Sequence, residues 1–276
     1  MKILVCTDGS LAAEQAALLV SQLGLSTGVE FTLLGVVDEH ANPASLDASF
    51  DRMTSILGAA AQNLKRLVRK GDSYEQILAE AVEHPYDLVA VGVAGQHHGL
   101  LHFKVGSTTG KLARKLHTHF LVARNVPERV GKVLVCTGAE APAVETLRVG
   151  GQMLAGLQAE VSVLHVMSQV SLKPDTIPEE LVATAEIAIA RNTREGQHLQ
   201  RAIQQLTQAG ISAPIHPRLR HGLVVDEVLG EVREGKYDLM MVGAHYQPGQ
   251  NRWLGILLDD VTDQLLNQAP CSVLII

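Results

Sequence analysis

The feature that most constrains the fold of this chain is an internal repeat. The segment Lys2-Ile-Leu-Val-Cys-Thr7 reappears as Lys132-Val-Leu-Val-Cys-Thr137. Later in each copy, Tyr86-Asp-Leu-x-x-Val-Gly92 corresponds to Tyr237-Asp-Leu-x-x-Val-Gly243, and each of these motifs ends twenty-one residues after another glycine. Two matches in the same order indicate tandem copies of one domain.

The boundary between the two copies is expected in the segment Asn125-Val-Pro-Glu-Arg129, which has the composition of a linker. The predicted domains are therefore residues 1–128 and 129–276. At 276 residues the chain is long enough for two domains of ordinary size, each with its own core.

Each copy alternates short apolar runs with amphipathic patterns. In the first copy, helices are predicted at Leu11–Leu23, Ser49–Val68 and Ser73–Glu83, between strands that end near Asp8, Val37, Val91 and Ala123. Strands that alternate with helices favour a parallel sheet covered on both faces. The predicted fold class is α/β, with two tandem doubly wound, five-stranded, Rossmann-like domains.

Composition limits the classes of function. Apolar residues make up 46 % of the chain and charged residues 19 %, which is typical of a folded domain. The net charge of −6, without a basic stripe or an aromatic platform, argues against nucleic-acid binding. No apolar run reaches the length of a membrane span, and the N-terminus turns polar too early for a signal peptide, so we expect no membrane association and a cytoplasmic location. The three cysteines lie in apolar runs and are expected to be core residues.

A glycine-rich stretch follows the apolar run Asp87–Val91. Its glycines lead into a helical pattern, with Ser107 or Thr108 placed to cap the helix. Free backbone N–H groups and the helix dipole favour a phosphate at such a helix N-terminus, although turn glycines at the end of a strand would look the same. A Walker-type loop is rejected because Leu112 stands where that motif needs Ser or Thr for magnesium.

The first strand ends in Asp8, and the strand before the glycines ends in Gly92. In an open parallel sheet, ligands bind beyond the carboxyl ends of strands at the point where strand order reverses. If these two strands are neighbours, one crevice holds a carboxylate acceptor for a base or a ribose beside a glycine loop for phosphates. The pattern therefore predicts a nucleotide site.

These motifs resemble the universal stress protein family in its tandem form, over nearly the whole chain. The family's glycine signature is G-x-x-G, nine residues and G-[ST]; here ten residues separate Gly95 from Gly106. In ATP-binding members, the first-strand aspartate and a valine at the end of the second strand hold adenosine, and the glycine loop with its serine holds the phosphates. The resemblance implies ATP, with or without Mg²⁺, and a site at Thr7, Asp8, Val36, Gly92, Gly95, Gly106, Ser107 and Thr108.

The second copy departs from this pattern. Gly138 stands where the first copy has Asp8, and Tyr246 stands where it has Gly95. Alignment of the closing segments places Asp259 and Asp260 opposite Gly106 and Ser107. A carboxylate about 4 Å from a phosphate charge costs about 1 to 4 kcal/mol, depending on the local dielectric. We therefore expect the first domain to bind ATP and the second to be a structural or regulatory partner.

The resemblance implies a stress-response role, but two other classes of function stay open. One is an interaction scaffold without nucleotide, and the other is a slow ATPase or nucleotide transferase. The sequence shows no nucleophile-base pair, so Ser10 and Ser107 are interpreted as caps or ligands rather than catalysts. The apolar segments Phe120–Ala123 and Cys271–Ile276 are expected to pair as antiparallel strands within the chain, and a homodimer also stays open.

Several polar residues lie near the glycine stretch. His97, His98 and His102 share one segment, in which His98 and His102 have the i,i+4 spacing that would bind a transition metal on a helix. No nearby cysteine or ordered carboxylate completes a metal shell, so the pattern favours an exposed loop with a pH response or a phosphate contact. Lys104 and Lys111 are candidates to offset phosphate charge, although a solvated face would carry the same residues. In the second copy, the single tryptophan Trp253 is expected to cover an empty site or to pack at an interface.

Overall fold

In a computed structural model, the described residues are 1–25, 28–37, 43–93, 107–138, 143–167, 184–243 and 261–276. They divide into two compact units. The first comprises Met1–Arg129 and Leu266–Ile275, and the second comprises Val130–Leu265 and Ile276. These units are not the same division as the predicted domains, because the end of the chain belongs to the first unit. The domain limits 1–128 and 129–276 therefore remain a prediction.

The sheet of the first unit has the strand order β3-β2-β1-β4-β5-β10. Strands β1 to β5 run parallel, and β10 is antiparallel to β5. Strand β1 lies between β2 and β4, so the order reverses there. The strands are β1 (Lys2–Thr7), β2 (Glu30–Val37), β3 (Asn63–Lys70), β4 (Leu88–Gly92), β5 (His119–Ala123) and β10 (Ser272–Ile275).

Helices of the first unit begin at short polar side chains where the cap is described. Ser10 accepts a hydrogen bond from the backbone N–H of Ala13, and Asp72 accepts one from that of Glu75, so each satisfies a donor that the helix leaves open. The predicted capping role of Ser10 is thereby confirmed. The helices are α1 (Leu11–Gln22), α2 (Pro43–Leu57), a 3₁₀ turn (Gly58–Gln62), α3 (Ser73–Glu83) and α4 (Ser107–Lys115).

Two helix predictions need correction. The helix predicted over Ser49–Val68 is wrong in its second half, because α2 ends at Leu57 and Asn63–Lys70 forms the edge strand β3. Leu64 and Leu67 are three residues apart, which imitates helical spacing, while the edge position of the strand lets charged residues alternate with them.

The start of α4 also differs from the prediction. Ser107 and Thr108 are the first two residues of this helix rather than its N-cap, since the helix begins one residue earlier than the apolar pattern indicates. Their backbone N–H groups therefore belong to the open donors of the helix N-terminus.

The second unit repeats this architecture with the strand order β8-β7-β6-β9, all parallel. Its strands are β6 (Lys132–Thr137), β7 (Glu160–Met167), β8 (Ile215–His221) and β9 (Leu239–Val242). Its helices are α5 (Ala143–Leu154), α6 (Ala185–Ala190), α7 (Arg194–Gln208) and α8 (Val224–Gly235). Residues 261–268 are also helical. The repeated motifs occupy equivalent strands, which confirms the duplication.

A buried ion-pair network fixes α3 against β3 in the first unit. The carboxylate of Glu80 is 1 % exposed; it accepts hydrogen bonds from Arg69 (Nη2, 2.6 Å) and from the hydroxyl of Tyr86 (2.8 Å). Arg69 also pairs with Glu83. Burial, with Glu80 as neighbour, raises the pKa of Tyr86 to about 12. Glu80, Glu83 and His84 bring three potential metal-ligand atoms together, but Arg69 already compensates both carboxylates.

The second unit contains the same network. Arg220 donates to Glu231 (Nε, 2.7 Å) and pairs with Glu234, and the hydroxyl of Tyr237 donates to Glu231 (3.0 Å). These residues lie on β8, on α8 and just before β9, as their counterparts lie on β3, on α3 and just before β4. The shared network shows that the repeat extends to buried polar contacts.

The end of the chain completes the sheet of the first unit. Strand β10 pairs with β5 through Val273 opposite Val122 and its neighbours, as the sequence predicts. The guanidinium of Arg124, 3 % exposed, donates to the carbonyl oxygens of Leu266 and Ala269 at the end of the last helix. Burial lowers the pKa of Arg124. Carbonyl groups at the helix end therefore accept from both terminal nitrogens of this buried cation, while its Nε has no hydrogen-bond partner among the described residues.

Cys6 and Cys271 are buried, as expected of core residues, whereas Cys136 is half-buried; none of the three forms a disulfide. Among the described helices, none has both the length and the apolar character needed to cross a membrane.

Candidate functional site

A cavity of about 180 Å³ opens at the carboxyl ends of β1 and β4 in the first unit. These strands are hydrogen-bonded neighbours, so the crevice expected from the sequence is formed by the fold. Five of the predicted site residues line it: Thr7, Asp8, Val36, Gly92 and Thr108. Ser107 is the first residue of α4. Gly95 and Gly106 lie outside the described residues.

Asp8 is the charged residue at the mouth of the cavity. It is exposed, and its Oδ1 accepts a hydrogen bond from the backbone N–H of Ser10 at 2.9 Å. This bond fixes the carboxylate at the turn between β1 and α1. A fixed carboxylate is an acceptor for the amino group of a base or for ribose hydroxyls.

Thr7 serves the fold as well as the cavity wall. It is 4 % exposed; its hydroxyl lies 3.0 Å from that of Ser49 on α2 and accepts the backbone N–H of Gly9 at 3.0 Å. The side chain therefore connects the end of β1 to α2. Its structural bonds are sufficient to explain a threonine at this position.

Gly92 is required by packing. A methyl group at this position would lie 2.0 Å from the carbonyl oxygen of Ala12 and 2.7 Å from the Cα of Ala13, both backbone atoms of α1. Any side chain would push α1 away from β4. The glycine thus allows the first turn of α1 to approach the cavity closely.

Other cavity residues were not identified from the sequence. Cys6, Ile77 and Leu112 are buried, and they form an apolar floor with Val36. Burial raises the pKa of the Cys6 thiol, so the group is a neutral part of that floor. The sequence did contain a signal for Ile77: α3 is predicted to start at Ser73, and Ile77 lies one turn later on the same face of that helix.

Two helices point their N-terminal turns at the cavity. Ser73 is the first residue of α3, and Thr108 and Thr109 belong to the first turn of α4. The partial positive charge of these turns favours an anion, and the hydroxyls can donate to it. Among the described residues, the cavity therefore combines an apolar floor, the carboxylate of Asp8 and two anion-attracting helix ends.

The corresponding edge of the second unit is built differently. Gly138 follows β6 where Asp8 follows β1, so the carboxylate is absent from that position. His198 of α7 bonds the hydroxyl of Thr137 through Nε2 at 2.9 Å, as Ser49 bonds Thr7 in the first unit. Imidazole thus occupies the place of a small hydroxyl.

A second histidine packs against the first. The rings of His165 and His198 have centroids 4.7 Å apart, and Nδ1 of His165 lies 3.3 Å from the carbonyl oxygen of Thr137. Burial lowers the pKa of both groups, that of His198 to about 4, with the neighbouring charges of Arg194 and Arg201 also lowering the latter. Both rings are therefore neutral near pH 7, and they fill the edge with aromatic volume.

Several residues singled out from the sequence lie outside the described residues. They are His97, His98, His102 and Lys104 in the first copy, and Tyr246, Trp253, Asp259 and Asp260 in the second. The expectations for them remain predictions.

Comparison with known proteins gives one family. A model of the universal stress protein family matches residues 1–124 and again residues 130–276. No curated protein sequence matches the chain. The crystal structure of a universal stress protein from Archaeoglobus fulgidus DSM 4304 has a TM-score of 0.64 at 15 % identity, covering 99 % of this chain and 97 % of that one.

Two further structures fit the same family. A protein from Pseudomonas aeruginosa UCBPP-PA14, described as a universal stress protein, has a TM-score of 0.66 at 15 % identity over 100 % of this chain and 92 % of that one. A universal stress protein in complex with cAMP covers 54 % of this chain and 97 % of its own, at 21 % identity and a TM-score of 0.39. The Archaeoglobus fulgidus and Pseudomonas aeruginosa structures, at these identities, establish the fold.

Proposed function

Because this chain belongs to the universal stress protein family, we propose that its first unit binds ATP in the cavity between β1 and β4. The second unit serves as a structural or regulatory partner without a nucleotide of its own. A stress-response role and a cytoplasmic location are parts of the same proposal.

The observation that carries the proposal is the combination of groups around one cavity. The floor of Cys6, Val36 and Leu112 suits the apolar face of a base. Asp8 stands at the mouth as an acceptor, and the first turn of α4 offers open N–H groups and hydroxyls to phosphates. A nucleotide has these three parts, which are a planar base, a hydroxylated sugar and an anion.

The second unit supports the division of roles. It lacks a carboxylate at Gly138, and the rings of His165 and His198, which contact each other at a tilt of 48°, occupy the edge beside it. Removal of an acceptor and filling of space act in the same direction, since a polar ligand there would lose a partner and meet aromatic side chains. We therefore assign nucleotide binding to the first unit.

The test is isothermal titration of the full chain with ATP, with and without Mg²⁺, before and after Asp8→Asn. The amide keeps the shape of the side chain but loses its charge, so ATP affinity should fall about tenfold, roughly 1.4 kcal/mol. The control is Asp47→Asn, an exposed residue on α2 that does not line the cavity. Its ATP affinity should equal that of the unmodified chain.

Two results would contradict the proposal. ATP affinity unchanged by Asp8→Asn would remove Asp8 from the site. No heat from the unmodified chain, together with no nucleotide in mass spectra of the denatured protein, would favour the interaction scaffold instead.

A further inference from the structure

A cation–π contact joins α3 to α4 beside the cavity. The Nζ of Lys111 lies 5.5 Å from the centroid of the Tyr74 ring. Tyr74 is the second residue of α3, and Lys111 lies one turn from the start of α4. An ammonium over an aromatic face is attracted by the ring quadrupole, so the ring limits the positions that this exposed side chain takes.

The contact lies at the rim of the cavity. Tyr74 directly follows Ser73, and Lys111 lies between Thr108 and Leu112 on α4. Ser73, Thr108 and Leu112 all line the cavity. The ring therefore holds the ammonium beside the two helix N-termini that attract an anion. An ammonium carries three hydrogen-bond donors and a full charge, and it adds to the partial charge of the helix ends.

The second unit provides an internal comparison for this pair. Alignment of α3 with α8 places Val225 opposite Tyr74, and alignment of the closing segments places Gln264 opposite Lys111. The pair is therefore absent where Asp8 is also absent, although the buried network of Arg69 has a full counterpart. A contact needed for folding alone would be expected in both units, as that network is.

We propose that Tyr74 positions Lys111 as the cation that contacts the phosphates of the bound nucleotide. This inference rests on the proposed function, because the cavity must hold a nucleotide for the ammonium to meet its phosphates. It adds a positioning residue and a phosphate-binding residue to the site, neither of which belongs to the glycine motif.

The first experiment compares ligands with and without phosphate. Lys111→Gln introduces the residue that the second unit has at the aligned position. It should weaken ATP binding about tenfold in titration calorimetry and change the affinity for adenosine by less than twofold. It should also reduce the dependence of ATP affinity on salt concentration, because one charge contact is lost. Lys115→Gln on the same helix removes the same charge away from the cavity and should leave ATP affinity unchanged.

The second experiment separates positioning from a direct or structural role. Tyr74→Phe keeps an aromatic face and should bind ATP like the unmodified chain. Tyr74→Val removes that face and should lower the ATP affinity about threefold. In the Lys111→Gln background, Tyr74→Val should have no further effect, since the two residues act through one contact. Additive losses would overturn the positioning role.

The outcomes also distinguish this inference from the proposal on which it rests. If the unmodified chain binds ATP and Lys111→Gln leaves the affinity unchanged, the role of Lys111 is overturned and the proposed function stands. The same holds if Lys111→Gln lowers the affinities for adenosine and ATP equally. Absence of ATP binding by the unmodified chain overturns both.

Discussion

The two units have the same internal framework and different sheet edges. Arg69 with Glu80 and Tyr86 in one unit matches Arg220 with its partners in the other, in the same pairing and on equivalent elements. Beyond the ends of β1 and β6, Asp8 corresponds to Gly138 instead. The two units thus share the contacts that hold helices to the sheet, while they differ in the groups at the carboxyl edge of the sheet.

The comparison separates structural from ligand-binding roles within one chain. Thr7 and Thr137 both bond a side chain of the helix that precedes the edge strand of their unit, Ser49 of α2 in one case and His198 of α7 in the other. A threonine there is explained by the fold, whereas Asp8 has no counterpart in the second unit. Residues present only in the first unit are therefore the stronger candidates for ligand binding.

The largest expected effect tests the shared framework. Arg69→Ala and Arg220→Ala each remove the arginine that lies nearest to a buried glutamate, Glu80 or Glu231, which costs up to about 3–5 kcal/mol. A weaker basic partner remains in each unit, His84 at 3.1 Å from Glu80 and Arg218 at 3.5 Å from Glu231. Both variants should therefore lose stability to a similar extent in urea unfolding followed by circular dichroism. Lys70→Ala, an exposed charge on β3, should stay within about 0.5 kcal/mol of the unmodified chain. A large loss for one arginine only would contradict an equivalent framework.

The next effect tests a difference between the units. Gly92→Ala forces a methyl group onto the backbone of α1, so we expect a loss of about 1–3 kcal/mol. At the equivalent Gly243, the added methyl group would meet the Thr146 side chain instead, with Oγ1 at 3.2 Å and Cγ2 at 3.3 Å. These contacts are tight, but they are clearly longer than the 2.0 Å overlap with backbone at Gly92. Gly243→Ala should therefore cost less than about 1 kcal/mol in the same unfolding experiment. Equal losses would show that α1 and α5 approach their sheets alike.

The smallest effect is a pH dependence that His198 adds in the second unit. The pKa of His198 falls from its ordinary 6.5 to about 4 on folding. Between those values the unfolded chain binds a proton that the folded chain does not, so stability falls as pH decreases through this window, and it is fully present above it. We expect a loss of about 1 kcal/mol, because the half-buried ring is partly screened.

The control for this pH dependence is His198→Gln, which does not titrate and keeps a nitrogen near Thr137. Its melting temperature should change less between pH 7 and pH 4.5 than that of the unmodified chain. Equal changes would show that His198 does not carry the pH dependence.

Much of the fold could be predicted because it depends on local patterns. The repeated apolar runs gave the parallel strands, and Ser10 marked the start of α1 correctly. Strand β3 was missed because an edge strand carries few buried residues, and its leucines have helical spacing. The start of α4 was misplaced by one residue, since apolar periodicity does not fix a helix end.

The site was less predictable, because it depends on contacts between distant residues. Asp8 and Gly92 could be brought together from strand order alone, whereas Ile77 reaches the cavity only through the packing of α3. The histidine pair of the second unit joins residues far apart in the sequence. Neither His165 nor His198 belongs to a motif, so no pattern indicated that they meet.

The central claim is that one of two equivalent units binds the nucleotide, and the stoichiometry of ATP binding to the intact chain tests it most directly. Titration calorimetry should give one ATP per chain. Asp8→Asn should weaken that binding, and His198→Gln in the second unit should leave both the number and the affinity unchanged. Two ATP molecules per chain, or one that is unaffected by Asp8→Asn and lost in a variant of the second unit, would contradict the account.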